Sequence, residues 1–380
     1  MRILGIESTA HTFGVGIYDS DLDQMLANPK AFYKAPPGQG MIPRVVAEHH
    51  GEHGARIVKQ AMEEAGRNLA EKDAVENAGP LGFDSLDAIA YSSGPGLGPC
   101  LQTGLAAASF LARKHGLPLV PVNHCHAHIE VGRWQCGFDD PLALYVSGGN
   151  TQIITGTKRG GIRKTRIGAS EPIVPRGSIR RASRDVKLKG GWNPPCGSVY
   201  GPPFRVLGET LDIGVGNLFD AFARELKMPF AHGSMVAKKA MEGKNYHPLP
   251  YTIKGMNFTF SGLLTSAGKM IGQVDENDLC FSLMETAFAQ LAEGAERALM
   301  LTEKKEVLLC GGVAQNTVLI DKIKMMAALH GAKAGTCENQ YNADNGAMIA
   351  LTGARRLAQG KTIRAQDAQF DQKFRIDMVE

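Results

Sequence analysis

The stretch Leu142-Ala-Leu-Tyr-Val-Ser-Gly-Gly-Asn-Thr-Gln-Ile-Ile154 decides the fold. Two apolar runs flank a polar turn with two glycines, which predicts strand, tight turn, strand. The same grammar opens the chain, where Arg2 to Tyr18 reads as strand, polar turn (Ser8, Thr9, His11) and a second strand holding Gly14 and Gly16. After the first hairpin, the strand Asp87–Ser93 runs into Gly94-Pro-Gly-Leu-Gly-Pro99, a helix from about Thr103 and a short strand at 118–122. After the second, the strand Glu306–Cys310 runs into Gly311-Gly-Val-Ala-Gln-Asn316, a helix at about 315–330, a strand at 332–336 and a helix from near Asp344. Hairpin, strand, glycine turn, helix, strand, helix occurs twice, so the chain reads as an internal duplication. The expected fold is α/β, with two similar lobes facing each other across a cleft.

The first lobe is expected at 1–133, joined by a C-terminal helix of about 345–380, and the second at 134–344. Two stretches enlarge the second lobe. Residues 158–205 are rich in Gly, Pro and Arg without clear periodicity and predict a flexible loop. Residues 208–304 read as mostly helical, including an amphipathic helix from Asp278 with Leu279, Leu283, Ala287 and Leu291 on one stripe.

Across 380 residues, 43% hydrophobic and 21% charged content fits a globular chain. No apolar run approaches the length that spans a bilayer. The start Met1-Arg-Ile-Leu-Gly-Ile6 reads as a strand, not a secretory signal. Seven scattered cysteines form no CxxC pair, which favours reduced thiols in the cytoplasm over a zinc ribbon. The net charge of +4 is uneven: residues 157–205 carry +10 and the remainder −6.

The first copy ends in Asn123-His-Cys-His-Ala-His-Ile-Glu130. If Asn123 caps a helix, His124 and His128 stand one turn apart on one face and can converge on a metal ion. Read alone, the same residues also make an ordinary polar helix start. Zincin chemistry needs Glu directly after the first His, and Cys125 stands there. A second cluster, His49, His50 and His53, follows the loop 36–44; Gly51 and Gly54 weaken that helix, so these histidines read as surface polar residues. The first hairpin's polar tip can also hold a phosphate.

The chain resembles the universal tRNA N6-adenosine threonylcarbamoyltransferases, the TsaD/OSGEP-like family of the actin-like ATPase superfamily. Gly5-Ile-Glu-Ser-Thr9, Gly94-Pro-Gly-Leu-Gly-Pro99, the histidine stretch, Tyr145-Val-Ser-Gly-Gly-Asn-Thr151, Gly208-Glu-Thr-Leu-Asp-Ile213, Phe260-Ser-Gly-Leu263, Gly311-Gly-Val-Ala-Gln-Asn316 and Asp344-Asn-Gly-Ala-Met-Ile-Ala350 carry the resemblance. It covers nearly everything outside 158–205, and the wording is closer to the archaeal and eukaryotic branch. It implies two ribonuclease H-like lobes and transfer of threonylcarbamoyl from threonylcarbamoyl-AMP to N6 of adenosine 37 in tRNAs reading ANN codons. It implies one divalent ion, Fe(2+) or Zn(2+), on His124, His128, Tyr145 and Asp344. The nucleotide donor would lie on Tyr145, Val146, Ser147, Gly148, Gly149, Asp220, Gly233 and Asn316. The implied partners are tRNA and KEOPS-type subunits, among them a separate small kinase.

The resemblance leaves the general base open; His11 and Glu7 are candidates, as is a substrate oxygen. Three departures stand out. His232-Gly233-Ser234 replaces an expected Gly-Gly-Pro, and Ala237 stands where a donor-binding glutamate is expected. The third is the long basic segment itself, which reads either as an RNA-binding arm, with Trp192, Tyr200 and Phe204 as stacking groups, or as an insertion without a partner. The alternative function is a non-catalytic nucleotide-binding or ATPase scaffold subunit.

Overall fold

The computed structural model describes residues 1–36, 41–73, 79–156, 203–229 and 232–379. The first copy comprises β1 (Arg2–Glu7), β2 (Thr12–Asp19), β3 (Gln24–Ala27), β4 (Lys30–Phe32), α1 (Pro43–Asp73), β5 (Ala88–Gly94), α2 (Gly98–His115), β6 (Leu119–Asn123) and α3 (His124–Cys136). The second runs through β7 (Leu142–Val146), β8 (Thr151–Gly156), β9 (Phe204–Glu209), α4 (Val215–Glu225), α5 (Gly233–Ala240), β10 (Ile253–Lys254), β11 (Asn257–Phe258), α6 (Ser261–Lys269) and α7 (Glu276–Thr302). It continues with β12 (Glu306–Cys310), α8 (Thr317–Leu329), β13 (Lys333–Thr336), α9 (Asn339–Asn342) and α10 (Gly346–Leu357).

The two main sheets share one topology. In the first the order is β3-β2-β1-β5-β6, with β4 also on β2; in the second it is β9-β8-β7-β12-β13. Each has an antiparallel hairpin in which the first strand takes a parallel neighbour, β5 beside β1 and β12 beside β7. The duplication is therefore present strand for strand, and the fold is the α/β pair of lobes expected.

The histidine helix α3 lies between the two sheets. Ala127 and Val131 enter the apolar cluster of the first sheet with α10, while Cys125 and Ile129 enter a cluster with β7 and β12. Successive residues turn by about 100°, so pairs four apart share a face. His126 and Glu130 occupy another face, where buried Glu130 meets Arg133 and the Arg355 guanidinium of α10. Burial opposes ionisation of Glu130, but His126, Arg355 and Arg133 hold its carboxyl well below the usual range. The remaining face carries His124 and His128.

Helix α10 meets β1 and β2 backbone to backbone. A Cβ on Gly16 would lie 2.2 Å from the Ala347 nitrogen, and one on Gly5 would lie 2.2 Å from the Ala350 nitrogen. Gly14 and Gly16 thus serve helix packing.

Several expectations need correction. The C-terminal helix spans 346–357 and not 345–380; the chain beyond Gly360 runs irregularly to a single 3-10 turn at Ile376–Met378. Of the histidines of α1, His49 and His53 are half-buried, and His50 is not a surface group. His50 is fully buried with Nε2 2.9 Å from the Ala10 carbonyl, and the helix runs unbroken through Gly51 and Gly54. Gly54 leaves room for the Phe13 ring, 3.3 Å from where its Cβ would be. Phe204 is no stacking group for RNA, because it is buried in β9 with its ring 4.8 Å from that of His126. Of the basic segment 158–205, the stretch 158–202 with Trp192 and Tyr200 lies outside the described residues. The six cysteines described are free thiols, and among the described residues no helix is long and apolar enough to cross a membrane.

Candidate active site

Asn123 ends β6 and accepts from the His126 N–H at 3.1 Å, so it caps α3 and fixes the direction of the helix. His124 and His128 then project together, their rings 4.7 Å apart. Asp344 reaches them from the other end of the sequence. Asn345, not Asp344, caps α10 by accepting from Met348 N–H at 2.9 Å, which leaves the Asp344 carboxylate unspent. Its Oδ1 lies 3.3 Å from His128 Nε2 and 3.5 Å from His124 Nε2. One nitrogen from each imidazole and one Asp344 oxygen lie within 4.8 Å of one another.

Behind this group, Glu7 Oε2 sits 3.0 Å from His124 Nδ1, and Thr9 Oγ1 donates to the other Glu7 oxygen at 2.5 Å. Glu7 is fully buried. It therefore anchors an imidazole and does not face the cleft as a general base. Burial alone would lower the His124 pKa, yet the Glu7 and Asp344 carboxylates raise it to about 9. Burial would raise Asp344, yet His124, His128 and His11 hold it well below the carboxylate range. His128 is lowered, chiefly by burial. Two imidazoles and a carboxylate converging in a negative field, with a second carboxylate steering the far ring nitrogen, fit a divalent cation.

Tyr145 is buried at the end of β7, its ring 5.5 Å from that of His128. Burial first, then the neighbouring Cys125 and Asp344, push its phenol well above the usual range. His11 lies on the open side, its Nδ1 3.9 Å from Asp344 Oδ2 and its side chain one-third exposed.

The proposed donor residues run on from Tyr145 through the turn that follows β7. The turn Ser147–Gly149 is packed on the N-terminus of α4: Gly216 N–H donates to the Ser147 carbonyl at 3.2 Å and Asn217 N–H to that of Gly148 at 3.0 Å. Gly148 and Gly149 themselves are exposed. One turn along α4, Asp220 accepts from Gly233 N–H at 2.7 Å and feels the charge of His11. Burial raises its pKa. Val146 has its side chain in the core, so only its backbone is free to meet a ligand. Asn316 spends its side-chain oxygen capping α8, on Val318 and Leu319 N–H. The departures also have a local account. His232 caps α5, its Nδ1 2.8 Å from Ser234 Oγ, and Ala237 is half-buried against the second lobe's core.

The profile of the tRNA N6-adenosine threonylcarbamoyltransferase family matches residues 22–170 and 197–351. The chain belongs to that family. The threonylcarbamoyltransferase of Staphylothermus marinus is 40% identical, with 99% of this chain and 98% of that protein covered. That of Thermofilum pendens is 37% identical, with 100% and 96% covered. A probable bifunctional tRNA threonylcarbamoyladenosine biosynthesis protein of Methanosarcina mazei is 39% identical over all of this chain, which spans 59% of that longer protein. Among solved structures, T. kodakarensis HypF aligns over 94% of this chain and 48% of its own at a TM-score of 0.54 and 14% identity. Component A of Acidaminococcus fermentans (R)-2-hydroxyglutaryl-CoA dehydratase aligns over 94% and 99% at 0.51 and 13%. These two likenesses concern the fold alone, and it is the two-lobed fold described above.

Glu7 was weighed only as a base in the sequence, since nothing there signals an anchor for a histidine 117 residues away. Glu7→Gln is expected to weaken divalent-metal affinity 10- to 100-fold, by roughly the usual cost of losing such a partner. Metal titration of the purified variant checks this, and an unchanged affinity would remove Glu7 from the centre.

Proposed function

We propose that the chain transfers a threonylcarbamoyl group from threonylcarbamoyl-AMP to N6 of adenosine 37 in tRNAs reading ANN codons. The observation that carries this reading is the meeting of His124, His128 and Asp344, from two distant parts of the sequence. Those three residues, with Tyr145 beside them, would hold Fe(2+) or Zn(2+). When bound, such an ion supplies Lewis acidity toward the threonyl carboxylate and the carbamoyl carbonyl.

The chain's own groups account for the rest. The N–H groups of Gly148 and Gly149, both exposed, receive the adenylate phosphate. Asp220, held by Gly233, accepts from a ribose hydroxyl. N6 attacks the carbamoyl carbon, the bond from that carbon to the phosphate oxygen breaks, and AMP leaves with the electron pair. His11, on the open side next to Asp344, takes the N6 proton. The same reading places the chain in the cytoplasm, in a KEOPS-type assembly with a separate small kinase. The bifunctional relative supports a second function close at hand.

A scaffold subunit that binds or hydrolyses nucleotide without transferring the acyl group is the second reading, favoured by Ala237, which brings no carboxylate to the donor side. Unmodified tRNA incubated with threonylcarbamoyl-AMP, with and without partner subunits, separates the two by nucleoside analysis. The transfer reading expects the modified adenosine; nucleotide hydrolysis with untouched tRNA would establish the scaffold instead.

A further inference from the structure

β4 lies at an edge of the first sheet and pairs with β2 in the register Thr12↔Phe32, Phe13↔Ala31, Gly14↔Lys30. The pairing continues one residue further, with Tyr33 N–H donating to the His11 carbonyl at 2.8 Å. Strand alternation then sorts this stretch. Ala31 is buried in the cluster with α1, and Tyr33 is half-buried. Lys30, Phe32 and Lys34 are exposed on the opposite face. Phe32 keeps 48% of its surface open. Its ring stands edge-to-face with that of His11, centroids 4.5 Å apart. Lys30 Nζ reaches the backbone carbonyls of Asp344 and Gln340, both at 3.4 Å. The stripe thus begins at the candidate centre and leads away from it. Along the sequence no Asp or Glu occurs between Asp23 and Glu48, where Lys30, Lys34 and Arg44 stand.

An open aromatic between two cations is the chemistry that holds single-stranded nucleic acid. The ring offers its face to any base, and the ammonium groups meet phosphates. An apolar protein partner would not need the lysines. We propose that Lys30, Phe32 and Lys34 form the docking stripe for the single-stranded tRNA segment that carries the acceptor adenosine. Phe32 stacks on a base of that segment and Lys34 binds a flanking phosphate, while Lys30, held by the Asp344 and Gln340 carbonyls, fixes the edge strand beside the centre. The stripe rests on the transfer reading above and adds to it the element that presents the acceptor.

The test uses the full chain and unmodified tRNA, measuring binding by fluorescence anisotropy over a salt series and modification under conditions where the wild type turns over. Phe32→Ala is expected to raise Kd and KM for tRNA roughly ten-fold, within the usual worth of one stacked base. Affinity for threonylcarbamoyl-AMP stays unchanged, and Phe32→Trp restores tRNA binding. Lys34→Ala, independently, flattens the salt dependence by about one ion. Wild-type tRNA affinity in Phe32→Ala, or a Phe32→Trp variant no better than Ala, overturns the stripe while leaving the transfer reading intact. A wild-type chain that modifies no tRNA under any condition sinks the transfer reading, and the stripe with it.

Discussion

Asp344→Ala is expected to lower threonylcarbamoyl transfer by about three orders of magnitude, equivalent to about 4 kcal/mol of barrier, while the chain stays folded. The carboxylate is the only group in the three-residue cluster that comes from the second copy, and it faces both Nε2 atoms at 3.3 and 3.5 Å. Without it, two imidazoles from one helix are left with the Tyr145 phenol and no carboxylate, a donor set poorly suited to hold a divalent ion firmly. Folding is insulated from the change, because Asn345 caps α10 and Asp344 has no part in that cap. Single-turnover modification assays with a melting curve for each variant check both halves of the statement. Less than a ten-fold loss of transfer would mean that the chemistry happens elsewhere.

Gly16→Val is expected to abolish the folded state. The added Cβ alone would lie 2.2 Å from the Ala347 nitrogen and 2.4 Å from its Cα, and both are backbone atoms that cannot swing aside. Relief requires α10 to lift from β2. That would open the apolar cluster in which Ala347, Met348, Ala350 and Leu351 are fully buried and would withdraw Asp344 from the histidines. Large core faults of this kind cost more than about 4–5 kcal/mol, a large part of a typical domain's stability. The observable is soluble yield and melting temperature beside wild type. A soluble Gly16→Val chain with an unchanged melting temperature would show that α10 does not pack as described.

The repeat was legible because strand–glycine–strand patterns survive in one sequence as local punctuation: Leu142–Ile154 and Arg2–Tyr18 each announce a hairpin without reference to anything distant. Asn123 was legible for the same reason, being a cap beside its own helix. What could not be read were relations across the fold. The packing role of Gly16 is invisible in the sequence because the helix that needs its missing side chain lies some 330 residues further on. Glu7 looked like a base because its imidazole partner is equally remote. His50 looked exposed because two nearby glycines lower helix propensity, whereas packing of α1 on the first sheet overrides that preference. Asn316, matched to the donor site by resemblance, is placed in the fold as the cap of α8. The Phe32 stripe was invisible for a different reason: alternation over three residues becomes a signal only when β2 and Asp344 show which face is open.

Metal stoichiometry of the purified chain, measured by mass spectrometry after anaerobic loading with Fe(2+) or Zn(2+), bears most directly on the shared centre. Wild type is expected to retain one equivalent, and His124→Ala, His128→Ala and Asp344→Ala each to retain almost none while melting like wild type. One equivalent held undiminished by all three variants would place the ion somewhere else and contradict the account.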